Sequence, residues 1–553
     1  MYFHQTCIFL DLMSVNCIEI VNTKIRDWII KGKTRLKLFC SKAANVCVKR
    51  LLNINLRTNN CVDVSLNEWL LDNDVIIPHI NFLSKKYCRV DLQYVTVDGR
   101  RKPYKSLNMV ESSCVTAWSI WTISEKQEKE IVKSSQIGKS TIDTERKISK
   151  ILANCEHYGL TVDKDLASRL LIDVRNSLET LEKKAFKLCG YHFNFNSSND
   201  VAKVLGLYNG RKVSTKKTVL SSHNSPMASL VIYWRKLNSI LTQTLYPLTE
   251  KACNYSCGNR INPAYTMFTC TGRISMHKPN LQNVPRTFCI PAEYLTLNKS
   301  ANSEVVEFNC RNIFKATEGY VIVSADYCQL EMRILTHFSE DPVLMQIMNS
   351  DLDVFKSIAA SWSHRAEEQV DDDLRQKAKQ LCYGIIYGMG NKTLSLQLDV
   401  TEIEAAMFMD DFFKAYPAVK SFTQRIIDEC RSRGYIETLT KRRRYLPGIK
   451  SNVGSRKSAA ERQAVNTTIQ GSAADIAKAA MCNIDTRIEN LEPKPRLILQ
   501  MHDELIYEVP QDKKEYFIRV LKEVMEGTMK LKVPLPVKIK CGYTWGTLED
   551  VKI

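Results

Sequence analysis

Three short stretches of this chain carry side chains that could act together on phosphate groups. Residues 320–325, Tyr-Val-Ile-Val-Ser-Ala, form an apolar run that ends at Asp326. Residues 497–501 and 505–509 form two more, and His502-Asp503-Glu504 lies between them. Short apolar runs bounded by polar residues read as buried strands. The first therefore predicts a strand ending in an acid, and the other two predict a hairpin with acids at its tip. Carboxylates fixed by strand ends beside a solvent-filled cleft are oxygen ligands for divalent ions. Between these stretches, Arg375, Lys379, Tyr383 and Tyr387 recur every four residues. Each step of four turns only about 40° around a helix, so the four form one slowly drifting stripe. Two cations followed by two aromatics could hold a triphosphate at one end and stack a base at the other. Alone, each stretch has a bland reading, since acids punctuate turns and charged stripes face solvent. Two such acidic sites in one basic chain favour the chemical reading.

The elements that position these groups belong to a large chain. At about 150 residues per unit, 553 residues make three or four folding units. Lys and Arg total 78 against 60 Asp and Glu, a net charge of +18. Such a surplus points to a polyanion, either nucleic acid or an anionic membrane surface. No run of 18 apolar residues occurs, so no spanning segment is expected. The start, MYFHQTCIFLDLM, is broken by Asp11 and makes a poor signal peptide. The 19 Cys are odd in number and scattered, with Cys253 and Cys257 the nearest pair, which favours reduced thiols inside a cell over disulfides or zinc. Residues 140–188 have helical periodicity, residues 194–226 are polar with Arg211, Lys212, Lys216 and Lys217, and residues 225–246 read as another helix.

Ser324-Ala-Asp326-Tyr-Cys-Gln-Leu-Glu331-Met-Arg333 resembles motif A of the family A DNA polymerases. Residues 375–388 resemble motif B, and Gln500-Met-His-Asp503-Glu504 resembles motif C. Thr271-Gly-Arg273 with Pro279-Asn-Leu-Gln-Asn283, then Arg442-Arg-Arg-Tyr-Leu-Pro447, then Glu461-Arg-Gln-Ala-Val-Asn466 with Gln470-Gly-Ser-Ala-Ala-Asp475 follow the family's order. The resemblance covers about 140 to 546, and details such as Gly384-Ile-Ile-Tyr-Gly-Met-Gly390 look most like the theta branch, with nu its near relative. It implies an α/β (α+β) right-hand fold: polymerase start and thumb in 136–265, palm in 266–345 and 481–553, fingers in 346–480. A truncated, inactive exonuclease-like region is expected in 1–135.

In residue terms, the resemblance makes Asp326, Asp503, Glu504 and Lys379 catalytic. Asp326, Asp503 and the Tyr327 backbone carbonyl would hold two Mg²⁺ ions. Arg375, Lys379, Tyr383, Tyr387, Glu331, Gln329 and His502 would bind the nucleotide, with Glu331 a steric gate against ribose and Tyr383 permissive toward dideoxynucleotides. Arg273, Asn280, Gln282, Arg462, Asn466, Gln470 and Lys216 would contact DNA. Cys328 departs from the usual Ser. Residues 441–462 hold eight cations and one acid, read as a phosphate-tracking surface. The resemblance implies a template-directed DNA polymerase in DNA repair, by end joining or lesion bypass, whose partners are primer-template DNA and deoxynucleoside triphosphates, with no membrane, as a monomer in the nucleus. An organellar enzyme, a single-subunit RNA polymerase and a catalytically dead scaffold are the rivals.

Proofreading needs an Asp-x-Glu on a strand, and Asp143-Thr-Glu145 stands in a helical pattern instead. Leu36 to Asn53 and Asn67 to Pro78 resemble pieces of the exonuclease-like domain, with Cys40 and Ser41 where an acid belongs. The chain therefore reads as beginning inside that domain. Residues 286–312 look like a shortened theta-type insertion, and the one before motif C looks missing, which puts lesion bypass in doubt.

Overall fold

A computed structural model describes residues 36–552 apart from 53–60, 75–78, 98–99, 134–137, 209–213, 224, 253–258, 296–303, 351 and 364. The apolar start, Arg211, Lys212, Cys253 and Cys257 lie outside the described residues. At the centre stands a five-stranded antiparallel sheet. Its order is Arg496–Met501, Glu504–Pro510, Tyr320–Tyr327, Val537–Gly542 and Glu549–Asp550. Tyr320–Tyr327 is buried along nearly its whole length, as its run of Val, Ile and Ala requires. Arg496–Met501 and Glu504–Pro510 form the expected hairpin, with His502 and Asp503 as its turn. Lys514–Glu526 covers the sheet, with Tyr507 and Phe517 rings 5.0 Å apart.

The helical pattern over 140–188 resolves into two helices, Lys139–Tyr158 and Lys164–Cys189, separated by the strand Leu160–Val162. Gly159 makes the break, at φ +62°, where a Cβ would stand 2.3 Å from the Ile261 carbonyl oxygen. Asp163 then accepts from the Leu166 N–H and starts the second helix. That helix packs on Pro226–Ile240 through buried Leu178, Leu181, Val231 and Trp234. Between them Phe195 stacks on Trp234 at 4.7 Å. The segment beyond the second motif pair forms an antiparallel hairpin, Phe288–Pro291 with Val305–Phe308.

Two helices carry most of the remaining functional positions. Asp372–Ile386 holds the stripe; Asp371 caps it and Asp372 and Asp373 complement its dipole. Gly454–Arg487, 34 residues long, crosses the interior and is buried on most sides by Ala, Gly and Ser. Gly471 shows why: a Cβ there would lie 2.6 Å from Thr438 Cγ2.

At the N-terminal side, Leu36–Leu38 pairs in parallel with Cys61–Asp63. The Asp63 carboxylate accepts from the N–H groups of Cys40, Ser41 and Ser65, serving the helices Ser41–Leu52 and Val64–Leu71. Trp69 is fully buried and donates to the Thr269 carbonyl at 3.0 Å, anchoring this region to the rest. Asp143 and Glu145 lie in a helix, as their pattern predicts. Glu145 is engaged by Lys478 at 2.7 Å, both side chains almost wholly buried.

Candidate active site

Strand register brings the acids together. Asp326 pairs directly with Glu504 across the antiparallel ladder, so both side chains leave the sheet on one face. The Ser324 hydroxyl donates to Glu504, two residues along that face. Asp503 follows from the turn: His502 adopts φ +52°, and Gln500 Nε2 donates to its carbonyl at 2.6 Å. The Asp503 carbonyl accepts from Tyr327 N–H at 3.4 Å, tying the turn to the end of the central strand.

A cleft of about 550 Å³ opens above this turn. Its walls include Asp326, Asp503 and Glu504 from the sheet, Gln329 and Glu331 from the start of Leu330–Ser339, and Lys379, Tyr383 and Tyr387 from the stripe helix. Tyr327, His502, Arg273 and Gln282 also line it, whereas Asn280, Arg462, Asn466 and Gln470 do not. Phe355, Arg286 and Arg311 also line it, and the motifs did not flag them. Arg286 lies only three residues beyond Asn283, but the matched motifs stop short of it, and Arg311 and Phe355 stand between motifs; Lys379 Nζ is 5.8 Å from the Phe355 ring centre.

Electrostatics show what the cleft lacks. Burial, then Glu504 and Asp503, raise Asp326 from 3.8 to about 7, while Arg286 and Lys540 pull it down. Burial also raises Asp503, against Arg273. Three carboxylates crowded at the foot of one cleft are short of positive charge. Among the described residues no group of three or more acid, His or Cys side chains is placed to hold a metal ion by itself. Such a set suits hard ions that complete their shells with water and phosphate oxygens.

Glu331 sits 4% exposed between two partners. Arg273 forms an ion pair with it, and the Tyr387 hydroxyl donates to its Oε2 at 3.3 Å. Tyr387 in turn stacks with Tyr383, ring centres 6.1 Å apart. Gly388, at φ +60°, packs against Arg462, where a Cβ would lie 3.0 Å from Arg462 Cγ. Arg462, Asn466 and Gln470 thus occupy one face of Gly454–Arg487 beside the stripe. Asn280 accepts from the Gln282 N–H, and Gln282 donates to the Ile274 carbonyl at 3.2 Å. Partial burial, then Arg273, lower His502 below its ordinary 6.5.

Some expected residues stand apart. Arg375 is not among those lining the cleft; its guanidinium grips Asp353 with bonds of 3.0 and 2.8 Å. Lys216 is exposed at the start of Lys217–Ser222 and does not line the cleft either. The basic window 441–462 is a weaker phosphate surface than its composition suggests. Arg442 is buried against Asp475 at 3.1 Å, Arg444 is buried against Thr467, and Arg443 is held by Glu437. Lys441, Lys450, Arg456, Lys457 and Arg462 remain exposed. Among the described residues no helix is long and apolar enough to cross a membrane.

Residues 164–547 match the model of DNA polymerase family A. DNA polymerase theta of Drosophila melanogaster is 38% identical over 542 residues, which cover 94% of this chain and 25% of that protein. DNA polymerase I of Geobacillus stearothermophilus is 31% identical over 552 residues, 95% of this chain and 60% of that protein. The chain thus spans less than two thirds of either relative. A solved structure, the POL domain of Pol1 from M. smegmatis in complex with DNA primer-template and dNTP, superposes with a TM-score of 0.82 at 26% identity. That match covers 96% of this chain and 89% of the other, so the fold is the right-hand polymerase fold of palm, fingers and thumb. This chain belongs to DNA polymerase family A.

Proposed function

We propose that this chain is a template-directed DNA polymerase that adds deoxynucleotides to a primer 3′-OH. One observation carries this reading: residues from three distant motifs, at 326–331, 379–387 and 502–504, line a single cleft. Asp326 and Asp503, with the Tyr327 carbonyl and Glu504 beside them, would hold two Mg²⁺ ions. Those ions, when bound, would acidify the 3′-OH and offset charge on the phosphates. Lys379, which lines the cleft, donates to the triphosphate and gives a proton to departing pyrophosphate. Tyr383 and Tyr387 present their rings to the nascent pair. Glu331, held by Arg273 and Tyr387, occupies the place a ribose 2′-OH would need. Arg273, Asn280, Gln282, Arg462, Asn466 and Gln470 contact primer-template by shape and not by sequence. Arg375 serves the triphosphate by exchanging its bond to Asp353, or acts only as a brace for the stripe helix.

The finer reading is a monomeric nuclear repair enzyme of the theta and nu kind. Its thumb is in 136–265, its palm in 266–345 and 481–553, and its fingers in 346–480. The region before 136 is an inactive exonuclease-like domain, so the chain lacks proofreading. The use of Glu145 as the partner of Lys478 supports that last point. Primer extension on a DNA template with Mg²⁺ tests the reading. Complementary deoxynucleotides should be added by the unaltered chain and not by Asp503→Ala. Binding of DNA with no extension by either protein would establish the scaffold instead.

A further inference from the structure

A second polar cavity, of about 200 Å³, lies at the far end of the catalytic hairpin. Lys49 enters from Ser41–Leu52, Lys150 and Tyr158 from Lys139–Tyr158, and Lys494 and Arg496 from the segment that leads into the sheet. Arg496 begins the strand Arg496–Met501, whose other end runs into the Asp503 turn. Five steps along an antiparallel strand span about 17 Å, so this cavity is separate from the active-site cleft.

Its charges are out of balance. Four cations line it against two carboxylates, Asp485 and Glu489. Lys494 takes Asp485 at 2.7 Å, and Glu489 is exposed. Arg496 comes within 3.8 Å of Glu508, but that carboxylate already holds Arg260 and Thr317. Instead the Arg496 guanidinium rests near the rings of Tyr158 and Tyr320, at 5.2 and 5.3 Å. Lys49 is the most constrained of the four. It is 8% exposed, and its ammonium donates to Asn154 Oδ1 at 2.7 Å and to the Tyr158 hydroxyl at 3.4 Å, both neutral acceptors. Burial lowers its pKa to about 8; Lys150, Lys494 and Arg496 push the same way, against Asp485. A buried ammonium facing three further cations is costly, and a bound anion would relieve it.

We propose that this cavity binds a small phosphate-bearing anion, gripped by Lys49, Lys150, Lys494 and Arg496. The cavity is smaller than the roughly 300–1,000 Å³ typical of sites for drug-sized ligands, so the occupant has the dimensions of phosphate or diphosphate. Arg496 offers its planar fork and the lysines offer point charges, the usual pairing around phosphate oxygens. The anion joins the N-terminal helix, the first polymerase helix and the root of the catalytic hairpin. Its binding therefore stabilises the folded chain in proportion to its concentration.

Calorimetric titration of inorganic phosphate and of diphosphate into the full chain tests this, with EDTA present and ionic strength held constant. Saturable binding at a site that does not need Lys379 is expected, with a matching rise in melting temperature. Lys49→Gln and Lys150→Gln should each weaken it about tenfold or more, since each removes a charge-assisted bond. Lys49→Arg should restore most of it, and Lys379→Ala, in the other cleft, should leave it unchanged. A 5′-phosphorylated oligonucleotide that competes with phosphate would make a nucleic-acid backbone the source; one that fails to compete would leave the free anion. If Lys49→Gln does not fold, the half-buried Lys150→Gln carries the test. Absence of saturable binding would overturn the proposal, as would binding lost in Lys379→Ala but kept in both lysine variants.

Discussion

Replacing Asp326 with Asn should make the metal-free protein more stable at pH 8 while weakening its response to Mg²⁺. Burial and two neighbouring carboxylates raise Asp326 from 3.8 to about 7. The native state therefore keeps a proton that the unfolded chain has already released between about pH 4 and 7. Stability falls as pH rises through that window and stays at its lower value above it. At 1.36 kcal/mol per unit, the ionised carboxylate costs the native state up to about 4 kcal/mol. Asp326→Asn removes that charge and keeps the shape, so it should regain on the order of 1–3 kcal/mol at pH 8 and little at pH 4. Urea unfolding in EDTA at pH 5 and pH 8 measures this as a shift in midpoint. Saturating Mg²⁺ should then stabilise the unaltered protein more than the variant, because the proposed ligand Asp326 can hold a cation only when ionised. A metal-free variant less stable than the original at pH 8 would rule out a destabilising buried charge at Asp326, and an equal Mg²⁺ response in both would rule out Asp326 as a ligand.

Glu331→Ala should raise ribonucleotide use relative to deoxynucleotide use by about 10- to 100-fold in single-nucleotide incorporation assays. It should also slow both, since Arg273 loses the carboxylate it is paired with. Tyr383→Phe should leave deoxynucleotide addition intact and increase rejection of dideoxynucleotides by about tenfold, measured as the ratio of kcat/KM values. Glu145→Gln should destabilise the chain by about 3–5 kcal/mol, because Lys478 would be left charged and buried against Trp69. The double change Glu145→Leu with Lys478→Met should recover most of that loss in thermal unfolding.

The parts of the site that obey local rules were legible in the residues. Apolar runs marked the strand before Asp326 and the hairpin around Asp503, and four-residue spacing marked the face of Asp372–Ile386. Register was not legible. That Asp326 lies opposite Glu504 depends on where the hairpin meets a strand some 180 residues earlier, which no local pattern encodes. Ser324 could have been found, since it stands two residues before Asp326 on the same strand face. The partners of the basic side chains were hidden for the same reason. Arg375 with Asp353, Arg442 with Asp475 and Lys478 with Glu145 are matched only by folding. Counting cations in 441–462 therefore overstates the charge facing solvent. The helical periodicity over 140–188 did not show the break at Gly159, which turns the chain where any Cβ would strike Ile261.

In the proposed mechanism, carboxylates from two distant motifs act as one unit on an incoming nucleotide. Single-turnover incorporation on a primer-template in Mg²⁺, comparing Asp326→Asn, Asp503→Asn and the double variant, is the decisive measurement. Each single change should lower the rate by about 10³-fold or more, and the double should be scarcely worse than either. Small losses that multiply, or unchanged rates in either single variant, would contradict that mechanism.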